Sequence, residues 1–138
     1  MAFLLVISCG KDDEDLIVGE WKVASLTATN CFDSEDNMAL VFSNGCLKQS
    51  VEGFDFEICM KLTFTSDGRY TFETKTSFFG ETETETESGT YSIDGNILRM
   101  CDGFGDCDEG EFSVTSSSLT FKSESSEDGC KTELRFVK

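Results

Sequence analysis

The sequence has no histidine and no proline, and only 11 of its 138 residues are Lys or Arg. Without His, the usual general base of Ser and Cys hydrolases is missing. Zinc is disfavoured for the same reason, since there is neither His nor a paired C-x-x-C to bind it. Gly-rich phosphate loops and dinucleotide fingerprints are absent as well. Carboxylate pairs of the kind that cleave glycosides arise by chance in so acidic a chain, so they indicate nothing by themselves. Neither an enzyme nor a cofactor or metal centre is expected. The shortage of bases leaves 27 Asp and Glu largely uncompensated, a formal net charge of −16. Such a surface repels nucleic acid and anionic headgroups and keeps a protein soluble beside a membrane. Long apolar runs are missing too, and residues 1–7 are too few to cross a bilayer.

What the chain does have is seven cysteines. Cys9 follows the apolar run ending Val6-Ile7-Ser8 and precedes Gly10-Lys11-Asp12-Asp13-Glu14-Asp15. An apolar segment that ends in a small residue and one Cys, then turns charged, reads as a secretion signal whose Cys becomes the lipidated first residue of the mature chain. Residues 1–8 are then a signal peptide, 9–15 the lipidated Cys with an acidic tether, and 16–138 the folded domain. The basic n-region of such a peptide is absent, so either a truncated leader or a true precursor start upstream of Met1 is expected. An N-terminal strand over residues 3–7 is the competing reading, because five apolar residues suit a strand equally well. The Lys and acidic residues behind Cys9 resemble the export signal of Gram-negative lipoproteins displayed on the outer face of the outer membrane. That resemblance implies a lipid-anchored, surface-exposed protein that meets the membrane only through its anchor.

With Cys9 set aside, Cys31, Cys46, Cys59, Cys101, Cys107 and Cys130 form an even set, which in a small exported domain argues for up to three disulfides. Cys101 with Cys107 is the favoured pair, since the turn-prone Asp-Gly-Phe-Gly-Asp between them sets the two across the mouth of a hairpin. The pairing of Cys31, Cys46, Cys59 and Cys130 stays open.

Beyond the tether the pattern is β. Gly19 to Thr27 reads as a first strand, and residues 38–42 before Asn44-Gly45 suit either a hairpin strand or a short helix. Over residues 54–64, Phe54, Phe56, Ile58, Met60, Leu62 and Phe64 alternate with polar residues and Cys59, the period of two of a half-buried strand with Cys59 on its outer face. Thr65-Ser66-Asp67-Gly68 then turns the chain, and Tyr70 and Phe72 resume the inward face. The tract Glu81-Thr82-Glu83-Thr84-Glu85-Thr86-Glu87 conflicts with inward Tyr91 and Ile93, because strict alternation puts four carboxylates on the inside. A bulge near Ser88-Gly89, or a ribbon running past the core into solvent, is expected in place of a carboxylate-lined cavity. Asp94-Gly95 marks a further hairpin, and residues 97–101, 111–115, 119–123 and 131–137 supply further short strands. The expected fold is all-β, an antiparallel up-and-down meander closing into a small barrel of about eight strands.

Gly19-Glu20-Trp21, Leu62 to Tyr70 with its Thr-Ser-Asp-Gly turn, and Ser88 to Leu98 with Asp94-Gly95 together resemble the lipocalin-like domains of many bacterial lipoproteins. The third motif more often carries Trp where this chain has Tyr91, and the Glu-Thr tract lies outside the pattern. The resemblance implies a barrel whose first-strand Trp is covered by an Arg of the last strand, a part Arg135 would take by cation–π stacking over Trp21. Flanking Leu134 and Phe136 argue that Arg135 points outward instead.

Two functions fit. One is a carrier that encloses a small apolar ligand among Trp21, Phe64, Tyr70, Phe72 and Tyr91. The other is a filled, monomeric barrel that meets a surface protein or glycan through acidic loops. The acidic cluster Asp102, Asp106, Asp108, Glu109 and Glu111 has oxygen ligands suited to Ca²⁺, but its spacing departs from the helix-loop-helix calcium loop, and a solvated hairpin tip is expected. Intact-mass analysis of protein purified from its own host is expected to show a chain starting at lipid-modified Cys9; an unmodified Met1 would overturn the lipoprotein reading.

Overall fold

In the computed structural model, which describes residues 13–138, hydrophobic alternation has produced one continuous antiparallel sheet. The expected signal peptide, Cys9 and residues 9–12 of the tether lie outside the described residues. The described residues start with a short helix, α1 (Asp13–Ile17), so three acidic residues that the sequence pattern placed in the tether are helical. Asp13, Glu14 and Asp15 suit its first turn because carboxylates complement the positive N-terminal end of the helix dipole.

Ten strands follow: β1 (Gly19–Thr29), β2 (Met38–Val41), β3 (Cys46–Val51), β4 (Phe54–Phe64), β5 (Arg69–Phe78), β6 (Glu81–Asp94), β7 (Ile97–Asp102), β8 (Cys107–Val114), β9 (Ser118–Glu124) and β10 (Lys131–Val137). β4 to β10 pair in sequence order, β10 pairs with β1, and β1 pairs back to β4, which closes an eight-stranded barrel. The two extra strands fill the seam. β1 pairs with β4 only over Gly19 to Lys22; above that the strands part, β2 taking the free edge of β1 and β3 that of β4. Of residues 38–42, open between strand and helix in the sequence, Met38–Val41 are therefore drawn into β structure along the edge of β1. Phe42 fills the wedge, its N–H donating to Ala24 O at 2.9 Å and its side chain buried.

Two devices let so short a sheet curl. In β1 the register against β10 shifts between Val23 and Ser25, so the inward residues change from Trp21 and Val23 to Leu26 and Ala28. Elsewhere, glycines allow neighbouring backbones to press together. A β-carbon on Gly89 of β6 would overlap the Cys101 carbonyl oxygen and come within 2.8 Å of the Tyr70 ring, and one on Gly110 of β8 would overlap the Lys122 carbonyl oxygen.

Three disulfides reinforce the sheet: Cys31–Cys130, Cys46–Cys59 and Cys101–Cys107. Cys46–Cys59 staples β3 to β4 across directly opposed residues, and Cys101–Cys107 closes the β7–β8 hairpin, the pair read from its spacing. Cys31–Cys130 spans 99 residues and ties the loop after β1 to the β9–β10 turn. In the chain-entropy account a loop that long restrains the unfolded chain by about 4.7 kcal/mol, against about 3 kcal/mol for a loop near 15 residues.

Replacing Gly89 by Ala is expected to cost about 1–3 kcal/mol by overpacking against Cys101 and Tyr70. Gly103→Ala, with open space around it, is expected to stay within about 0.5 kcal/mol. Urea unfolding of both variants checks this, and equal losses would remove the close-approach account.

Candidate functional site

The barrel is closed at one end and open at the other. At the closed end Ile17, Trp21 and Phe64 are buried, and Trp21 Nε1 donates to Ile17 O at 2.8 Å, so α1 serves as a stopper satisfied by the indole it covers. Tyr91 packs edge-on against Phe64, ring centroids 4.8 Å apart, and its hydroxyl donates to Thr65 O at 2.7 Å. The cation over Trp21 is Lys138, with Nζ 4.3 Å from the ring centroid and donating to Val18 O. Arg135 is exposed on the outer face near Glu133, so the stacking role that the family resemblance implied for it falls to another residue. The reason is register: Arg135 pairs with Ser25, and both flank the inward pair Leu26 and Leu134.

Above this floor lies a cavity of about 280 Å³, open at the end that carries the β7–β8 hairpin. Leu62, Leu98, Leu119 and Phe136 form its base and are almost wholly buried. Tyr70, Phe72, Met100, Phe121 and Leu134 make its walls, and Glu87, Asp108 and Ser123 stand at its mouth. Of the five aromatics expected around a ligand, Tyr70 and Phe72 therefore line the cavity. Trp21, Phe64 and Tyr91 are not in its wall but build the floor beneath it. Met100 and Phe121 escaped notice because short strands carry little alternation, whereas the alternation of Leu134 with Arg135 already turned Leu134 inward; the register pairs Tyr91↔Met100, Phe112↔Phe121 and Leu26↔Leu134 put all three on the inner face.

The Glu-Thr tract resolves without a bulge. β5 and β6 stay in unbroken register from Arg69↔Thr90 to Phe78↔Glu81, so the four glutamates keep the inward phase, and the ribbon carries three of them past the barrel into solvent. Glu87 alone reaches the mouth, where it accepts a 3.1 Å hydrogen bond from the Tyr70 hydroxyl. The second acidic cluster is divided by alternation along β8. Asp108 faces the mouth, whereas Glu109 and Glu111 belong to the opposite face. Asp102 caps its own hairpin, its carboxylate accepting from the backbone N–H groups of Phe104 (2.8 Å) and Asp106 (3.0 Å). One other group, Cys46, Glu57 and Cys59, has metal-ligand geometry, but its two sulfurs are consumed in a disulfide.

The negative rim acts on Tyr70. Burial first, then the hydrogen bond to Glu87 and the charges of Glu87, Asp102 and Asp108, push its hydroxyl up to about 12. Tyr91 is also raised, by burial and then by Glu14 and Asp67.

Residues 9–136 match the model of the family described as Domain of unknown function (DUF5004). No curated protein matches the chain. Among solved structures, a de novo designed fluorescence-activating β-barrel is similar at 13% identity and a TM-score of 0.42, over 94% of this chain and 99% of that one.

The folded state holds the Tyr70 phenol neutral more strongly than the unfolded chain, whose tyrosines ionise near 10. Its stabilisation is thus complete below about pH 10 and is lost as pH rises towards about 12. The chain has two tyrosines, so Tyr91→Phe leaves Tyr70 as the sole phenol to follow by ultraviolet titration. A midpoint near 12 that falls in the added variant Glu87→Gln is expected, and a midpoint near 10 would refute the coupling.

Proposed function

The chain belongs to the DUF5004 family, and on that premise we propose that it is a lipid-anchored, surface-exposed, lipocalin-like carrier that binds a small hydrophobic ligand in the mouth of its barrel. One observation carries the reading: an apolar-walled cavity of about 280 Å³ that opens at one end above a closed floor. Packed interiors leave few voids larger than a water molecule, so a chain selected only for stability has no use for such a space. Ligand pockets span roughly 300–1,000 Å³, which puts this one just below the usual range and limits its occupant to one ring system or a short alkyl chain. The mixture also fits a binder, with aliphatic and aromatic walls and a few polar groups gathered at one end. Binding is the whole of the proposed activity; no catalytic step is assigned to the rim carboxylates.

The anchored, outer-membrane location rests on the sequence around Cys9 and on the acidic surface, which suits a monomer standing in solvent. Among the described residues no helix is long and apolar enough to cross a membrane.

An interaction module is the second reading, favoured by the tip of the β3–β6 sheet. There Phe54, Phe78 and Phe79 pack edge-on with centroids 5.0 and 4.1 Å apart while remaining substantially exposed. The two readings separate experimentally. A neutral solvatochromic aromatic dye is expected to bind with a blue shift at one site per chain, and Met100→Trp, which fills the cavity, is expected to weaken it by about tenfold or more with the fold intact by circular dichroism. Undiminished binding in that variant would move the site off the barrel and favour the module.

A further inference from the structure

Resting on the reading of the barrel mouth as a binding site, we propose that its ligand is an organic cation with a short apolar body. An alkylammonium or arylammonium head would sit between Glu87 and Asp108, with its tail against Tyr70, Phe72 and Met100. The polar groups of the cavity are all acids and hydroxyls: two carboxylates, the Tyr70 phenol and Ser123, with no Lys or Arg in the wall. Neither carboxylate is in an ion pair among the described residues, although Glu57, Glu20, Asp67 and Glu133 elsewhere on the barrel each have one. Tyr70 holds one oxygen of Glu87 in place through its only donor and leaves the rest of the carboxylate free to accept.

The sheet beyond the mouth extends the same chemistry. Register places Glu81, Glu83 and Glu85 on the face of β6 that leads to Glu87, opposite Phe78, Thr76 and Thr74 of β5. On β4 that face continues with Phe56, Ile58 and Met60. The nearby bases Lys48, Lys61 and Lys75 alternate with these residues and belong to the outer face. An approaching molecule thus meets an apolar floor edged by carboxylates, with no base on that side of the ribbon. A fatty acid or another amphiphilic anion would bring its charge against this rim, a neutral ligand would gain nothing from it, and a cation would gain both steering and a counter-charge. Aromatic faces beside the rim add cation–π attraction. Glu87 and Asp108 are exposed, so the preference is screened and modest in size.

Octylammonium, octanol and octanoate share one tail and differ in head charge. Below their aggregation limits, each is titrated against the bound neutral dye at low salt. Octylammonium is expected to displace the dye at a concentration about tenfold lower than octanol, with octanoate weakest. In the double variant Glu87→Gln, Asp108→Asn the ammonium is expected to fall to the level of octanol, while octanol itself is unchanged. Equal displacement by octylammonium and octanol in the unaltered protein, or preference for octanoate, would overturn the cationic head and leave the carrier standing. Octylammonium binding that survives Met100→Trp, measured directly by calorimetry, would place the cation on the acidic surface at large and also overturn the proposal. Failure of the dye and of all three octyl compounds to bind would end the carrier reading itself.

Discussion

Closure of the barrel hangs on four residue pairs, Gly19↔Phe64, Glu20↔Thr63, Trp21↔Leu62 and Lys22↔Lys61. From β4 to β10 antiparallel neighbours follow one another in the chain, but β1 is brought to both β10 and β4 across the sequence, and it meets β4 only at this end. Trp21 makes the joint worth forming. It is wholly buried, and its single donor is satisfied by Ile17, so a large apolar area leaves water with no polar group stranded. The same four pairs decide where the barrel is shut and where it gapes. Beyond Lys22 the strands diverge, and β2 on the edge of β1, β3 on the edge of β4 and the buried Phe42 between them have to fill the opening.

A closed floor and an open mouth divide the aromatic residues between two tasks. Trp21, Phe64 and Tyr91 interlock at the floor, whereas Tyr70 and Phe72 are left facing space. Gly89 and Gly110 contribute from the other side, because their missing side chains let a neighbouring backbone and an aromatic ring approach. The cavity is thus a consequence of closing a sheet with short strands and large floor residues. Its mouth is acidic because β6 never changes phase: a bulge would have turned Glu87 outward and presented threonines to the opening.

With a net charge of −16, self-repulsion works against the compact state, and the three disulfides oppose it from the unfolded side. Two of them, Cys101–Cys107 and Cys31–Cys130, are at or near the open end, where the hairpins splay and few side chains pack.

The fold was legible because strand alternation is local. The eleven residues of β4 matched their strand end to end, the Thr65-Ser66-Asp67-Gly68 turn held its place, and five residues between two cysteines were enough to pair Cys101 with Cys107. The candidate site was legible only in part. Tyr70 and Phe72 follow from alternation, as does the inward phase of Leu134 beside Arg135, but Met100 and Phe121 lie on strands of six and seven residues, too short for a period to declare itself. The helix at Asp13 was masked by acidity that also suits a linker, and the cation over Trp21 came from Lys138, whose approach needs the bare Gly19 beneath it. What the sequence alone determined was thus the class of fold, the turns, the cysteine set and the sign of the surface, since each depends on neighbours a few residues apart. Which end of the barrel closes, which aromatics face a cavity, and that Glu87 and Asp108 share one mouth were decided by tertiary structure, because each depends on the register between strands far apart in the chain.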